Sequence, residues 1–297
     1  MRGFSYLGAA LALTATSFTP ISASAAEPVV LQPSSPWHLD YAEKKCRLSR
    51  VFGGDGNKHV LFFEQGAPGS SRMLVLGGSE VRRFRGSKRV KLQFGFDGPQ
   101  QDEQPYAGDL DDLGPALIYP GVSLVEIDDD ATKDPEEAMR VYRTLTDPSV
   151  GAGAEFVRLK LGKRVLDFAA DDLAKPLAAL THCSFDLLSD WGLSPDAHRS
   201  ATRLPFWLNE AAIARRIQAT YPSDALRKGE QGIIRLRVIV DEDGTVAECE
   251  LENATTVDEL ESPACEAMRN AKFEPALDKN SQPMRSYYAT QIIYSIG

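Results

Sequence analysis

The stretch from Gly232 to Glu252 admits few structures. Ile234, Leu236, Val238 and Val240 alternate with Arg235 and Arg237. Asp241-Glu242-Asp243-Gly244 then interrupts, after which Ala247, Cys249 and Leu251 alternate with Glu248, Glu250 and Glu252. A period of two is that of a strand, whose successive side chains point to opposite faces. The interruption ends in glycine, which reaches positive φ without a Cβ clash, so the two strands are expected to form an antiparallel hairpin. One face is apolar and needs a cover; the charged face is expected to be wet. An isolated hairpin is marginal in water, so flanking chain must supply another strand and a covering layer.

Both are present nearby. Tyr221-Pro222-Ser223 opens a short helix that Gly229 closes, and Ser262-Pro263 opens another carrying Ala264, Met268 and Ala271 inward. Phe273-Glu274-Pro275-Ala276 returns the chain, and Met284 to Ile296 forms a long strand. Tyr288, Ile292, Tyr294 and Ile296 share one face of it, and Tyr287, Ala289, Gln291 and Ile293 the other. Residues 221–297 are thus expected to fold as two helices on a three-stranded antiparallel sheet. Its last strand is an edge whose backbone N–H and C=O groups are open to an incoming extended peptide.

Tyr221-Pro222, Gly232, Val240-Asp241, Gly244, Val246, Phe273, Pro275-Ala276 and Pro283 together resemble the TonB C-terminal domain family. The resemblance covers only the last 77 or so residues. It implies contact with an outer-membrane transporter, or another envelope protein, whose N-terminal box peptide pairs with the edge strand from Arg285 to Ile296. The partner-binding positions it implies are Arg285, Tyr287, Ala289, Gln291 and Ile293. The 18 prolines are scattered, so the long proline-rich spacer of an energy transducer is missing.

Residues 28–193 read as a separate α+β domain, β-rich with two helices. Trp37 to Tyr41, Cys46 to Phe52, His59 to Glu64, Met73 to Leu76 and Val90 to Phe96 are β-type runs divided by glycine turns. Glu155 to Leu161 and Arg164 to Phe168 flank a Gly162-Lys163 turn. One helix is expected from Asp134-Pro135, with the aspartate as N-cap and proline at the first position, ending by Asp147-Pro148. A second starts at Asp171 or Asp172 and stops at Trp191-Gly192. Residues 194–220 form a linker and a helix capped by Asn209, with Ala211, Ala214 and Ile217 as its apolar stripe.

The amino terminus has the pattern of a signal peptide: Met1-Arg2, an apolar run from Leu7 to Ala15, and Ala23-Ser24-Ala25 as a cleavage site after residue 25. An uncut segment serving as the anchor of an energy transducer is the alternative, although the run falls short of the ~20 apolar residues of a membrane span. The expected location is the periplasm, without membrane anchoring. In an oxidising compartment the four cysteines are read first as pairs. Cys46–Cys183 with Cys249–Cys265 is the pairing that keeps each bond within one proposed domain; four buried free thiols are the alternative.

The formal charge of -9 argues against nucleic acid as a partner. Arg82, Arg83, Arg85, Lys88, Arg89 and Lys91 nevertheless form a local basic run, read either as a solvated hairpin face or as a contact for an anionic surface. Asp102 to Asp112 and Asp128-Asp129-Asp130 lack calcium-loop spacing, so no metal or other cofactor is expected. The four histidines show no metal-ligand spacing, and nucleophile-elbow and phosphate-loop motifs are missing. Catalysis is not expected. A hydrolase in the N-terminal domain would need a nucleophile hydrogen-bonded to a base in an open pocket.

Overall fold

The computed structural model describes residues 27–87, 89–102, 104–127, 134–220, 223–255 and 262–295. The chain enters through β1 (Val29–Leu31) and continues through β2 (His38–Ala42), β3 (Lys45–Phe52), β4 (His59–Gln65) and β5 (Arg72–Gly77). A 3-10 turn (Ser79–Phe84) leads to β6 (Lys91–Phe94), β7 (Gln100–Gln101), β8 (Tyr106–Leu110) and β9 (Gly114–Val122). Helix α1 (Pro135–Thr146), the hairpin β10 (Phe156–Leu161) and β11 (Arg164–Ala169), and α2 (Ala174–Asp190) complete this half.

Two sheets result, in the orders β2-β3-β4-β5-β9-β8 and β1-β11-β10-β6-β7. Alternate residues of both face one another across a common core: Leu48, Leu61, Phe63, Leu74 and Leu76 from the first, Leu92, Phe94, Val157, Leu159, Leu166 and Phe168 from the second. The N-terminal half is therefore a β-sandwich, closed at one side by Leu177, Leu180, Cys183 and Leu187 of α2. Helix α1 is capped by Asp134, whose carboxylate accepts from the Glu136 and Glu137 N–H groups. The N-cap of α2 is Leu173, without a side-chain cap, and the preceding Asp172 carboxylate accepts from Ala174 N–H. At the end of α2, Gly192 lies at φ 70°, and Gly192 and Leu193 N–H donate to Ser189 and Leu188 carbonyls.

Helix α3 (Pro195–Arg199), β12 (Phe206–Trp207) and α4 (Glu210–Ala219) bridge the halves. The bridge is woven into the C-terminal part, because β12 pairs with the later strand β15 (Phe273–Glu274). The Asn209 side chain does not cap α4. Its carboxamide oxygen accepts instead from Trp207 Nε1 and Lys272 N–H, at 3.1 and 2.9 Å, locking the bridge to the returning chain. The buried stripe of α4 is Ile213 and Ile217, with Ala211 exposed, since the isoleucines offer more surface to bury than the alanines.

The C-terminal part contains α5 (Ser223–Lys228), β13 (Gly232–Val240), β14 (Val246–Asn253), α6 (Ala264–Met268), the short ladder β16 (Ala276–Leu277) with β17 (Pro283–Met284), and β18 (Ser286–Tyr294). Tyr221, Pro222 and Ile296 lie outside the described residues, as do residues 1–25, Lys88 and Asp128-Asp129-Asp130. The main sheet has the antiparallel order β14-β13-β18, as the alternation requires. A bulge at Ile239/Val240 pairs Val246 with Val240, so Val246 rather than Ala247 packs on the core. Gly244 sits at φ 83°, and a Cβ there would stand 2.0 Å from the Phe273 carbonyl oxygen.

Both disulfides join the pairs expected for two self-contained domains. Cys46–Cys183 ties β3 to α2 with Cα atoms 6.1 Å apart, and Cys249–Cys265 ties β14 to α6 at 5.6 Å. Such bonds suit an oxidising, exported setting. No helix among the described residues is long and apolar enough to cross a membrane.

Candidate functional site

The three-stranded sheet uses both faces. Ile234, Leu236, Val238 and Val240 pack with Ile213, Ile217, Ala225, Ala267 and Met268 beneath the helices. The opposite, charged face is not wet as its alternation suggests; it lies against the sandwich. Ile239 and Tyr287 are buried with Ala67, Tyr142, Phe185 and Leu188, and the Tyr287 hydroxyl donates to the Pro68 carbonyl at 2.7 Å. Arg235, Arg237, Glu250 and Glu252 find counter-charges or ring faces there, while Glu248 stays exposed beside Arg285. Arg235 meets Glu64 of β4, which is 1% exposed and also holds Arg47 and, at 3.6 Å, Lys45. Lys44 and Lys45 pair with Glu250 and Glu252 at 2.5 and 3.1 Å. Arg237 lies over the Trp191 ring at 4.2 Å and contacts Glu250. Burial pushes the Glu64 carboxyl upward, but Arg235, Lys45 and Arg47 more than offset it, so its pKa falls below the usual carboxylate range.

A serine–histidine contact sits at the same junction. His198 Nδ1–H donates to the Ser194 carbonyl at 2.7 Å, leaving Nε2 to accept from the Ser286 hydroxyl at 3.0 Å. With exposures of 1% for His198 and 0% for Ser286, no substrate reaches this pair, and it serves to fasten α3 to β18. Burial lowers the His198 pKa, partly countered by the Ser194 carbonyl. His182, beside Cys183, faces outward to Asp186 at 3.2 Å, and the Cys183 sulfur is bonded to Cys46. Among the described residues no group of three or more histidine, cysteine or acidic side chains could hold a metal ion.

The sheet has two outer edges, β14 and β18, and the resemblance points to that of β18. Ala254 N–H donates to the Ile233 carbonyl, so odd-numbered residues of β13 address β14 and even-numbered ones address β18. Through the pairs Ile234↔Ile292, Leu236↔Thr290 and Val238↔Tyr288, the even-numbered residues of β18 spend their backbone groups on β13. Tyr287, Ala289, Gln291 and Ile293 therefore aim N–H and C=O away from the sheet. No backbone hydrogen bond among the described residues joins β18 to any strand but β13. Two grooves flank this edge. One, of about 1240 Å³, runs between β18 and the sandwich past Ser71, Gln101, Tyr106 and Val122. The other, of about 480 Å³, lies towards α4 and is lined by Trp207, Ala214, Ile217 and Ile292.

The five positions implied by the resemblance stand in different surroundings. Ala289 and Gln291 are half-buried on the open stretch, and Ile293 is 44% exposed there. Arg285 is ion-paired with Glu248 and Asp241 at 2.6 and 3.2 Å, and Tyr287 is enclosed at the junction. The sandwich wall of the larger groove escaped sequence reasoning, because nothing local in residues 70–122 signals that a strand nearly 200 positions later runs beside it.

Residues 217–296 match the family described as the Gram-negative bacterial TonB protein C-terminal. That stretch contains β13, β14, β18, α5 and α6. No curated protein matches the chain.

Proposed function

We propose that a C-terminal module of this kind makes the chain an exported binding protein of the cell envelope, which takes an extended peptide as a fourth strand beside β18. The observation that carries the reading is the unpaired row of backbone groups at Ala289, Gln291 and Ile293, lying between two grooves. Backbone pairing supplies affinity in such capture, and pockets for alternate side chains supply selectivity. Here one set of guest side chains meets Trp207, Ile217 and Ile292, while the other meets Ser71, Gln101 and Gln291. A peptide alternating apolar and polar residues fits best. The partner class is an outer-membrane transporter, or another envelope protein, presenting such a segment near its own terminus. Arg285 and Tyr287 hold the strand in place rather than meeting the guest.

Transmission of force from an inner-membrane anchor is disfavoured. Residues 194–220, which would have to extend as a spacer, are folded onto the C-terminal part through α3 and β12 and onto α2 through Arg199, which lies over the Phe185 ring. The test is calorimetric titration of the full exported chain with synthetic N-terminal segments of transporters from the same envelope. Gln291→Pro removes an outward donor without touching the β13 ladder. Binding to the parent and its loss in that variant are expected; equal heats from both proteins would refute strand addition.

A further inference from the structure

The basic run of residues 82–91 is unused by the capture edge, and the fold enlarges it. Lys91 opens β6, Leu161 closes β10 and Arg164 opens β11, so all three strand ends meet at one end of the second sheet. Arg164 donates to the Arg83 carbonyl at 3.4 Å, which sets the Gly162-Lys163-Arg164 turn against the 3-10 turn. Buried Val81 and Phe84 hold Arg82 and Arg83 outward, and buried Val90 and Leu92 do the same for Arg89 and Lys91. Lys91 and Lys160 stand directly opposite each other across the β6–β10 ladder. Like charges so placed repel; Asp102 answers Lys91 and leaves Lys160 to an external anion.

Counter-charge at this end is incomplete. Glu80 pairs with Arg83, Asp109 with Arg85 and Asp102 with Lys91. Glu27 also lies here, just ahead of β1, and exposed Asp111 and Asp112 follow Asp109 directly after β8. Among the described residues, no ion pair engages Arg82, Arg89, Lys160, Lys163 or Arg164, and all five are exposed. The start of β1 selects a lipid surface over a soluble polyanion. Strand β1 is parallel to β11, with Val29 opposite Leu166, so β1 begins at this same end. Val29 and Val30 are moreover 41% and 45% exposed beside the cations. Cations rimmed by exposed apolar side chains match an anionic headgroup layer over hydrocarbon.

We propose that this end of the sandwich is a peripheral docking surface for anionic phospholipid, with Arg82, Arg89, Lys160, Lys163 and Arg164 as its headgroup contacts. None of the five lines either groove beside β18, so docking and capture use different residues. The test is co-sedimentation of the exported protein with vesicles of phosphatidylcholine alone or of phosphatidylcholine mixed with phosphatidylglycerol. Sedimentation is expected only with the mixed vesicles, and should vanish in about 0.5 M salt, where charges are screened within roughly 5 Å. The combined variant Arg82→Glu, Arg89→Glu, Lys163→Glu and Arg164→Glu should bind at least about tenfold more weakly, given the per-cation attraction of such surfaces. Its thermal unfolding and peptide capture should be unchanged. Equal sedimentation with both vesicle types, insensitivity to salt, or a variant that sediments like the parent would each overturn the proposal. So would a stronger preference for a soluble phosphorylated polysaccharide than for vesicles.

Discussion

At the scale of single residues, His198 illustrates how one buried ring couples the halves of the chain to pH. Its neutral form is required, because Nε2 must accept from Ser286 while Nδ1–H donates to Ser194. The folded-state pKa lies below 6.5, whereas the unfolded chain titrates near that value. Stability from this site is therefore complete above about pH 6.5 and is lost as pH falls through the interval down to the folded pKa. Thermal unfolding between pH 7.5 and about 5 should show the midpoint dropping, and His198→Gln should flatten the slope over that window. An unaltered slope in the variant would assign the acid sensitivity elsewhere; Glu64 contributes only lower down, since its pKa is already depressed below the carboxylate range. Gly244 and Asp134 are readable from sequence because their roles are local: a turn that needs positive φ, and a cap two and three residues from its donors. Asn209 looks like a cap in sequence, but its side-chain partners are Trp207 and Lys272, the second of them 63 positions away.

The elements β13, β14 and β18 show what alternation can and cannot specify. It defines the strands, their faces and the hairpin, since each depends on neighbours within a few residues. It does not tell solvent from counter-charge. Arg235 looks like a surface residue in sequence, yet it meets Glu64, 171 positions earlier. Nor does side-chain parity reveal which amides of an edge point outward, because that depends on the register with the next strand. The register assigns Ile292 N–H to the native ladder and Gln291 N–H to the free side. Ile292→Pro should accordingly destabilise the C-terminal part by about 1–3 kcal/mol, the cost of leaving a ladder acceptor without its donor. Gln291→Pro should shift the urea midpoint far less. Similar shifts for both variants would mean the assignment of the two amide rows is reversed.

For the whole molecule, the junction is the feature that composition gives no hint of. Both halves have complete cores of their own, joined by a mixed seam: Ile239 and Tyr287 among apolar neighbours at one side, Glu64 with its basic partners at the other. Removing one member of a buried ion pair strands its partner and typically costs about 3–5 kcal/mol. Glu64 keeps Arg47 and Lys45, so Arg235→Met should fall at or below the low end of that range, read from urea unfolding. A change within about 0.5 kcal/mol, the size of an ordinary surface substitution, would indicate that the seam is not held there.

The bond between Cys46 and Cys183 has a mechanical corollary. The residues it links are 137 positions apart, one near the entrance of the sandwich and the other shortly before α3. Tension applied along the backbone from the amino terminus to a guest held at β18 crosses directly from one sulfur to the other. The strands lying between them are bypassed, so a tug on the captured peptide leaves most of the sandwich slack and unstretched.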